Sequence, residues 1–441
     1  MGSSDNLKPR AISGFPEWLP QQQSHEDAFI ETIKTIFASY GFLHLETSAV
    51  ELNEVLCAKG VDNKEIYTLN RIQAEENEKS KFSLHFDLTV PFARYVALNQ
   101  GQLNFPFKRY QIQKVWRGER PAQGRFREFY QCDIDIVGIE QLPIHYEAEL
   151  IEVMSKVFHL LNIGKVIFKL NNRKILQGFY ESLGINGDLF QKVLIEVDKI
   201  DKIGKDVLST QLKNLELEDN TIESILSFAQ AECFKDDFEA TIQNFNLENT
   251  LFKEGVEELK KVFSFIGQQD SIEIKWQGSI TRGLNYYTGC IFETELVEAP
   301  ELGSICSGGR YENLCGRFSK TKLPGVGISL GLTRLLSHLF TNNEQYQKNA
   351  APVTDILLTP FDDEQFLYLK NECANSLRDK GFKVEIFPPA KLKKVMNYAN
   401  KKGIPYVIIP NEDKSLELKN METGEQEKLS PEDLLKKLEQ S

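Results

Sequence analysis

The sequence predicts an α/β (α+β) fold: a β-rich block interrupted by a helical stretch, followed by a separate α/β module. Three observations lead there. Phe107–Trp116 and Glu128–Val137 are two long strand candidates around a polar turn containing Pro121 and Gly124, the pattern of an antiparallel hairpin. Residues 172–267 carry helical periodicity and little strand signal, yet strands resume beyond them, which marks an insertion rather than beads in series. After Pro352, strands alternate with helices, as in a largely parallel sheet.

Taken in order, Ser24 is an N-cap with Asp27 three residues on. Phe29, Ile33, Ile36, Phe37 and Tyr40 share one face, so the spacing predicts a helix over 24–40, ended by Gly41. An extended segment, 42–50, follows. Residues 81–90 read as a strand stopped by Pro91, which suits the first turn of a helix running to Asn99. Beyond the hairpin come a helix over 146–161 and a strand over 165–170. Strands are expected again at 272–276, 286–295 and 304–307, and 325–331 reads as a buried strand entering an apolar helix, 332–340. The last module shows strands at 355–359, 383–387 and 406–409, helices at 362–380 and 391–402, and a final helix start at Ser430–Pro431. The division expected is a catalytic domain in two parts, 1–171 and 268–341, around the insertion 172–267, then a linker, 342–352, and a module, 353–441.

Charge refines this plan. The 441 residues carry a formal net charge of −12, which taken whole argues against a nucleic-acid partner. The charge is segregated, however: residues 181–270 alone hold 19 acidic and 9 basic residues. Residues 105–131 hold seven basic residues against two acidic ones, and 390–410 hold five lysines and no acid. Seven cysteines without a CxxC pair, and six histidines without HxxxH, favour free thiols over disulfides or a zinc site. No apolar run is long enough to span a membrane and the N-terminus shows no signal-peptide pattern, so a cytoplasmic protein with no membrane partner and no metal ligands is expected.

Four constellations carry chemistry. Arginines 117, 120, 125 and 127 surround the hairpin turn, as either a solvated basic loop or a polyphosphate clamp, since guanidinium groups bind phosphate oxygens bidentately at any pH. RGLNYYTG, residues 282–289, is an aromatic strand in which only one of Tyr286 and Tyr287 can face a given pocket. GSICSGGRY, residues 303–311, has paired glycines that permit close approach to a ligand or make a turn. GVGISLG, residues 325–331, misses the dinucleotide fingerprint, and no Walker A sequence is present, so ATP would need another scaffold. Asp87 precedes a helix and reads as a turn or cap residue. Asp133 and Asp135 lie two apart on one strand face, where they repel unless one meets a cation or donor.

In this order the stretches resemble the histidyl-tRNA synthetase family of class II aminoacyl-tRNA synthetases. FKRYQIQKVWRGERPAQGRFREFYQCDIDIVG resembles motif 2, GVGISLGLTRLL motif 3, and the helix 24–40 with SYGFLHLETSAVE motif 1. RGLNYYTG and GSICSGGRY resemble the two histidine-specific signatures, and the likeness covers nearly the whole chain, least clearly at 185–265. The resemblance implies a mainly antiparallel catalytic sheet flanked by helices, a homodimer, and ATP-dependent ligation of L-histidine to tRNA(His) through a histidyl-adenylate, with Mg²⁺ arriving on the nucleotide.

It also implies roles for residues. Arg117 and Arg282 would be catalytic, holding the α-phosphate from two sides. Glu119, Arg125, Phe129 and Arg334 would complete the ATP site, with Phe129 stacked on the base. Asp87, Thr89 and Gln131 would take the α-amino group, and Asp135, Tyr286, Tyr287 and Tyr311 would surround the imidazole. The C-terminal module resembles the anticodon-binding domain of subclass IIa. There Lys391, Lys393, Lys394, Lys401 and Lys402 form either an RNA-backbone contact or a solvated helix face. The chain departs from the family pattern at Ser48, His85, Asn285 and Thr333. The competing readings are the non-catalytic histidine-binding regulatory paralogue of ATP phosphoribosyltransferase and an RNA-binding sensor of the same fold.

Overall fold

A computed structural model of the chain describes residues 8–57, 65–74, 80–267, 272–281, 287–312, 315–348, 354–411, 413 and 415–439. It forms two compact units, one of residues 1–17 with 29–341, the other of 18–28 with 342–441.

The first unit is built on a nine-stranded sheet. Its strands in chain order are β1 (Leu43–His44), β2 (Phe107–Trp116), β3 (Glu128–Val137), β4 (Val166–Asn172), β5 (Glu232–Phe234), β6 (Ile272–Gln277), β7 (Tyr287–Leu296), β8 (Cys306–Tyr311) and β9 (Gly325–Gly331). The spatial order is β1-β2-β3-β9-β8-β7-β4-β6-β5. Only β1–β2 and β4–β6 are parallel pairs, so the sheet is mainly antiparallel. The expected hairpin is present in full register, from Phe107 opposite Val137 to Trp116 opposite Glu128.

Side chains alternate across such a sheet. On β3 the even residues Cys132, Ile134 and Ile136 are fully buried, and they pair with Leu330, Ile328 and Val326 of β9. The helix His145–Leu161 packs on β9, burying Leu150, Ile151, Met154 and Phe158. The odd residues of β3, namely Phe129, Gln131, Asp133 and Asp135, occupy the other face. There the helix Thr89–Asn99 buries Val90, Phe92, Ala93 and Val96 against Phe107, Val137 and Tyr311, which fixes the start of that helix beside the hairpin.

Several elements differ from expectation, each for a physical reason. The first helix spans Pro20–Ser39, starting early because Pro20 has a helix-ready φ and Gln22 accepts a bond from the Leu19 N–H at 3.1 Å. The strand expected over 81–90 is only Phe82–Leu84, since Thr89 already begins the next helix. The strand expected at 304–307 is β8, shifted onward through Gly308 and Gly309, whose missing side chains are filled by neighbouring atoms. The helical stretch 173–265 also contributes β5, which pairs with β6 and forms the sheet edge.

The second unit has a five-stranded sheet of Ile356–Leu358, Val384–Ile386, Tyr406–Pro410, Leu416–Asn420 and Gln426–Leu429. Its first three strands are parallel as expected, but the last two add an antiparallel hairpin, so the sheet is mixed. That hairpin buries only Leu416 and Leu418 and is otherwise mostly polar, which hid it from a reading based on apolar periodicity. Ile356 and Leu358 pack under Leu369, Leu377 and Leu434 on one face. Leu357 meets Val395 and Ala399 of the helix Leu392–Lys402 on the other. Among the described residues no helix is long and apolar enough to cross a membrane, and all seven cysteines are free.

Candidate active site

The polar face of β3, β9 and β8 floors a cavity of about 830 Å³. Nine of the residues given a substrate-binding role by the resemblance line it, Asp87, Thr89, Arg117, Glu119, Arg125, Phe129, Gln131, Tyr287 and Arg334, together with Asp133. Asp135 and Tyr311 are buried beside it and bonded to each other, Tyr311 Oη donating to Asp135 Oδ1 at 3.0 Å. Arg282, Tyr286 and Asn285 lie outside the described residues. The five lysines belong to the second unit; all are exposed, and Lys402 bridges Glu385 at 3.0 Å.

At one end of the cavity the hairpin tip gathers positive charge. Arg117 is anchored through Nε to the Phe86 carbonyl at 3.0 Å, and its guanidinium lies 5.1 Å from the Phe129 ring centre. Arg334 donates to the carbonyls of Gly124 at 2.8 Å and Ser304 at 2.6 Å, tying the tip to the segment before β8. Arg125 approaches Glu119 at 3.9 Å and is half exposed, whereas Arg127 donates to the Glu119 carbonyl. Two of the four tip arginines, Arg120 and Arg125, are exposed, and Arg117 and Arg127 are partly buried. The departure at Thr333 has a structural use: its hydroxyl accepts from the Tyr130 N–H at 2.9 Å, joining the motif 3 helix to β3. His85 is buried, with Nε2 2.8 Å from the Lys114 carbonyl and its ring against Trp116, and burial lowers its pKa.

The cavity also gathers carboxylates. Asp87 Oδ1 accepts from the Val90 N–H at 3.1 Å, capping the helix as a short acid does. Burial pushes Asp87 up to about 6, against that bond and the positive charge of Arg117. Burial likewise pushes Asp133 up to about 7, opposed by Arg109 and a hydrogen bond from Ser329, with Asp135 and Asp87 adding to the rise. Asp135 is also raised by burial, although Arg109 forms an ion pair with its Oδ2 at 2.8 Å. Arg109 itself is wholly buried, donates to the Leu88 carbonyl at 3.2 Å and lies 4.2 Å over Phe92.

The glycines of β9 explain how these groups fit. A Cβ on Gly327 would sit 2.1 Å from Asp135 Oδ1, and one on Gly325 would sit 2.3 Å from the Tyr311 ring. The GVGISLG segment therefore gives up its own side chains to those of β3 and β8.

Some lining residues were not singled out from the sequence. The cation that the Asp133–Asp135 spacing called for is Arg109, and the hairpin register, which sets Arg109 opposite Asp135, could have named it. Arg173, Gln191, Leu194, Ile195 and Asp198, from the helical stretch, form a side wall. Arg173 donates to the Thr281 carbonyl at 2.9 Å, and the Thr281 hydroxyl to Asp198 at 3.0 Å, contacts that no local pattern announces.

Comparison with known proteins gives a consistent picture. A family model described as histidyl-tRNA synthetase matches residues 14–335, and one described as anticodon binding domain matches 355–441. A relative named Histidine--tRNA ligase, from Thermobifida fusca (strain YX), is 42% identical over 431 residues, covering 96% of this chain and 98% of its own. The solved histidyl-tRNA synthetase of Nostoc sp. PCC 7120 is 36% identical, with a TM-score of 0.85 over 98% of this chain and 99% of that one. An ATP phosphoribosyltransferase regulatory subunit/histidyl-tRNA synthetase from Bacillus halodurans C shares the fold at 17% identity, with a TM-score of 0.74, 91% of this chain and 99% of that one being covered.

Proposed function

The chain belongs to the histidyl-tRNA synthetase family and ligates L-histidine to tRNA(His), and we propose that the cavity on the β3–β9–β8 face is where it does so. The observation that carries this reading is convergence. Residues drawn from motif 2, motif 3, both histidine signatures and the Asp87–Thr89 segment line one cavity, among them the cations Arg117, Arg125 and Arg334 and the carboxylates Asp87 and Asp133.

The reaction has two steps. A carboxylate oxygen of histidine attacks the α-phosphorus of ATP, a bond forms between them, and pyrophosphate leaves. A terminal ribose hydroxyl of the tRNA then attacks the carbonyl carbon, and AMP leaves. The attacking carboxylate is already ionised, so the protein's work is orientation and charge neutralisation. Arg117, held rigidly by the Phe86 carbonyl, faces one side of the α-phosphate, and Arg282 the other. Phe129 stacks on the base, Arg334 flanks the base or the γ-phosphate end, and Glu119 and Arg125 close the nucleotide site. Mg²⁺ accompanies the nucleotide as its counter-ion.

Histidine lies toward the carboxylates. Asp87, Thr89 and Gln131 take the α-amino group. Asp135, with Tyr287 and Tyr311, reads the imidazole, whose one donor and one acceptor nitrogen need opposite partners.

The lysines of the helix Leu392–Lys402 suit an RNA backbone, being exposed while Val395 and Ala399 face the core. A homodimer is supported by apolar side chains left exposed near motif 1: Leu43 at 62%, Val50 at 40%, Leu52 at 41% and Phe82 at 49%. We place the protein in the cytoplasm, where free thiols are stable. Near-full-length identity to a relative named as the ligase, and the anticodon-binding match, favour the enzyme over the regulatory paralogue.

The test is histidine-dependent ATP–pyrophosphate exchange. It should be present, absent with other amino acids, and reduced by about 10²–10³-fold or more in Arg117→Ala or Arg282→Ala. No exchange from well-folded protein would refute the reading.

A further inference from the structure

Three buried acceptor oxygens on residues that line the cavity have no hydrogen-bond partner among the described residues: Asp87 Oδ2, Gln131 Oε1 and Asp133 Oδ1. All three residues line the cavity and are at least nine-tenths buried, at 5%, 8% and 2% exposure. Their remaining atoms are fixed. Asp87 Oδ1 caps the helix. The Ser329 hydroxyl bonds the Asp133 carboxylate, so Ser329 Oγ must accept, not donate, at its 2.8 Å contact with Gln131 Nε2. That contact orients the Gln131 amide with its oxygen free.

Buried acceptors left unpaired are unfavourable, which points to a ligand that brings donors. With Asp133 ionised, three acceptors without a donor do not suit an anion, and an imidazole offers at most two N–H groups, on separated edges. An ammonium group offers three. We propose that Asp133 is a further ligand for the substrate's α-ammonium group, joining Asp87 and Gln131, and that binding there releases a proton from Asp133. This rests on the synthetase reading and adds to it a residue and a linkage.

The charged groups around Asp133 fit this balance. Arg109 is engaged by Asp135 at 2.8 Å, Asp135 is further held by Tyr311, and Arg117 lies toward Asp87. Asp133, pushed up to about 7 chiefly by burial, is therefore partly protonated at neutrality, whereas Asp87, pushed up to about 6, is mostly ionised there. An arriving cation stabilises the ionised form of Asp133 and draws its pKa down, so a proton departs and affinity rises with pH from about 6 to 8.

The experiment is calorimetric titration of the full-length protein with histidinol, which keeps the amino group and ring, and with 3-(imidazol-4-yl)propionate, which lacks the amino group. Titrations at pH 7 in two buffers of different ionisation enthalpy count the protons released. Asp133→Asn should weaken histidinol on the order of 10- to 100-fold at pH 8, reduce proton release, and leave the deamino ligand unchanged. Ser329→Ala, a milder change, should weaken histidinol several-fold with the same selectivity. Equal weakening of both ligands, or histidinol binding and proton release unchanged from wild type, would overturn the assignment. Wild-type pyrophosphate exchange separates the two claims: an active enzyme that fails here loses only the Asp133 role, whereas absent exchange counts against the function itself.

Discussion

Removing the charge of Arg109 should destabilise the first unit more than any loss of packing would suggest. The guanidinium is fully buried, pairs with Asp135 Oδ2 at 2.8 Å and stacks on Phe92. Opposite unit charges about 4 Å apart attract by about 4 kcal/mol at an effective dielectric constant near 20. Losing one partner of a buried pair typically costs about 3–5 kcal/mol, because the other charge is stranded. Arg109→Met keeps the bulk, so most of its effect should be that stranding. At about 2 °C per kcal/mol, the thermal midpoint should fall by about 8 °C at pH 8.

The pH dependence has a definite sign. Asp135 already binds its proton more tightly in the fold than in the unfolded chain, so its contribution favours the fold at low pH and weakens as pH rises through the folded value. Without Arg109 that value moves higher, so the defect should be largest at pH 8 and shrink on acidification. Asp135→Asn alone leaves Arg109 unpaired, whereas the double variant removes both charges and should recover most of the loss. Thermal unfolding of the four proteins at pH 5.5 and 8 checks this. Additive losses in the double variant, or an Arg109→Met defect that ignores pH, would refute the reasoning.

Two further outcomes follow from the geometry. Gly327→Ala places a Cβ 2.1 Å from Asp135 Oδ1 and should cost about 1–3 kcal/mol in thermal unfolding, with a raised KM for histidine and an unchanged KM for ATP. Changing Lys391, Lys393, Lys394 and Lys401 together to glutamate should lower tRNA charging on the order of tenfold or more at physiological salt while pyrophosphate exchange persists. Equal effects on charging and exchange would make that helix face structural.

Much of this was legible in the sequence where signals were local. The hairpin declared itself because two ten-residue strands flank a Pro–Gly turn, and its register then orders the polar face residue by residue. What stayed hidden depended on burial or distance. Gly308 and Gly309 left open a turn or a close approach to a ligand, and they lie in mid-sheet with Phe292 and Tyr287 filling their places. Asp133 looked like one of a repelling pair, and only the fold reveals that one of its oxygens is buried without a hydrogen-bond partner. The Arg173–Thr281 contact joins residues 108 apart, through a helical stretch whose acidity had suggested nothing about a site wall. Net charge misled for the same reason: −12 is an average over parts with different partners.

The glycine column of β9 sets terms for anyone wishing to change which amino acid the enzyme accepts. A pocket is usually reshaped by enlarging or shrinking the residues of its floor, but here the floor beneath Asp135 and Tyr311 is bare backbone. Neither Gly325 nor Gly327 has room for even one methyl group. New specificity must therefore be written on β3 and β8, at the very side chains that Arg109 and its neighbours hold in place. Redesign would have to replace a charge network as a set, not adjust a cavity one residue at a time.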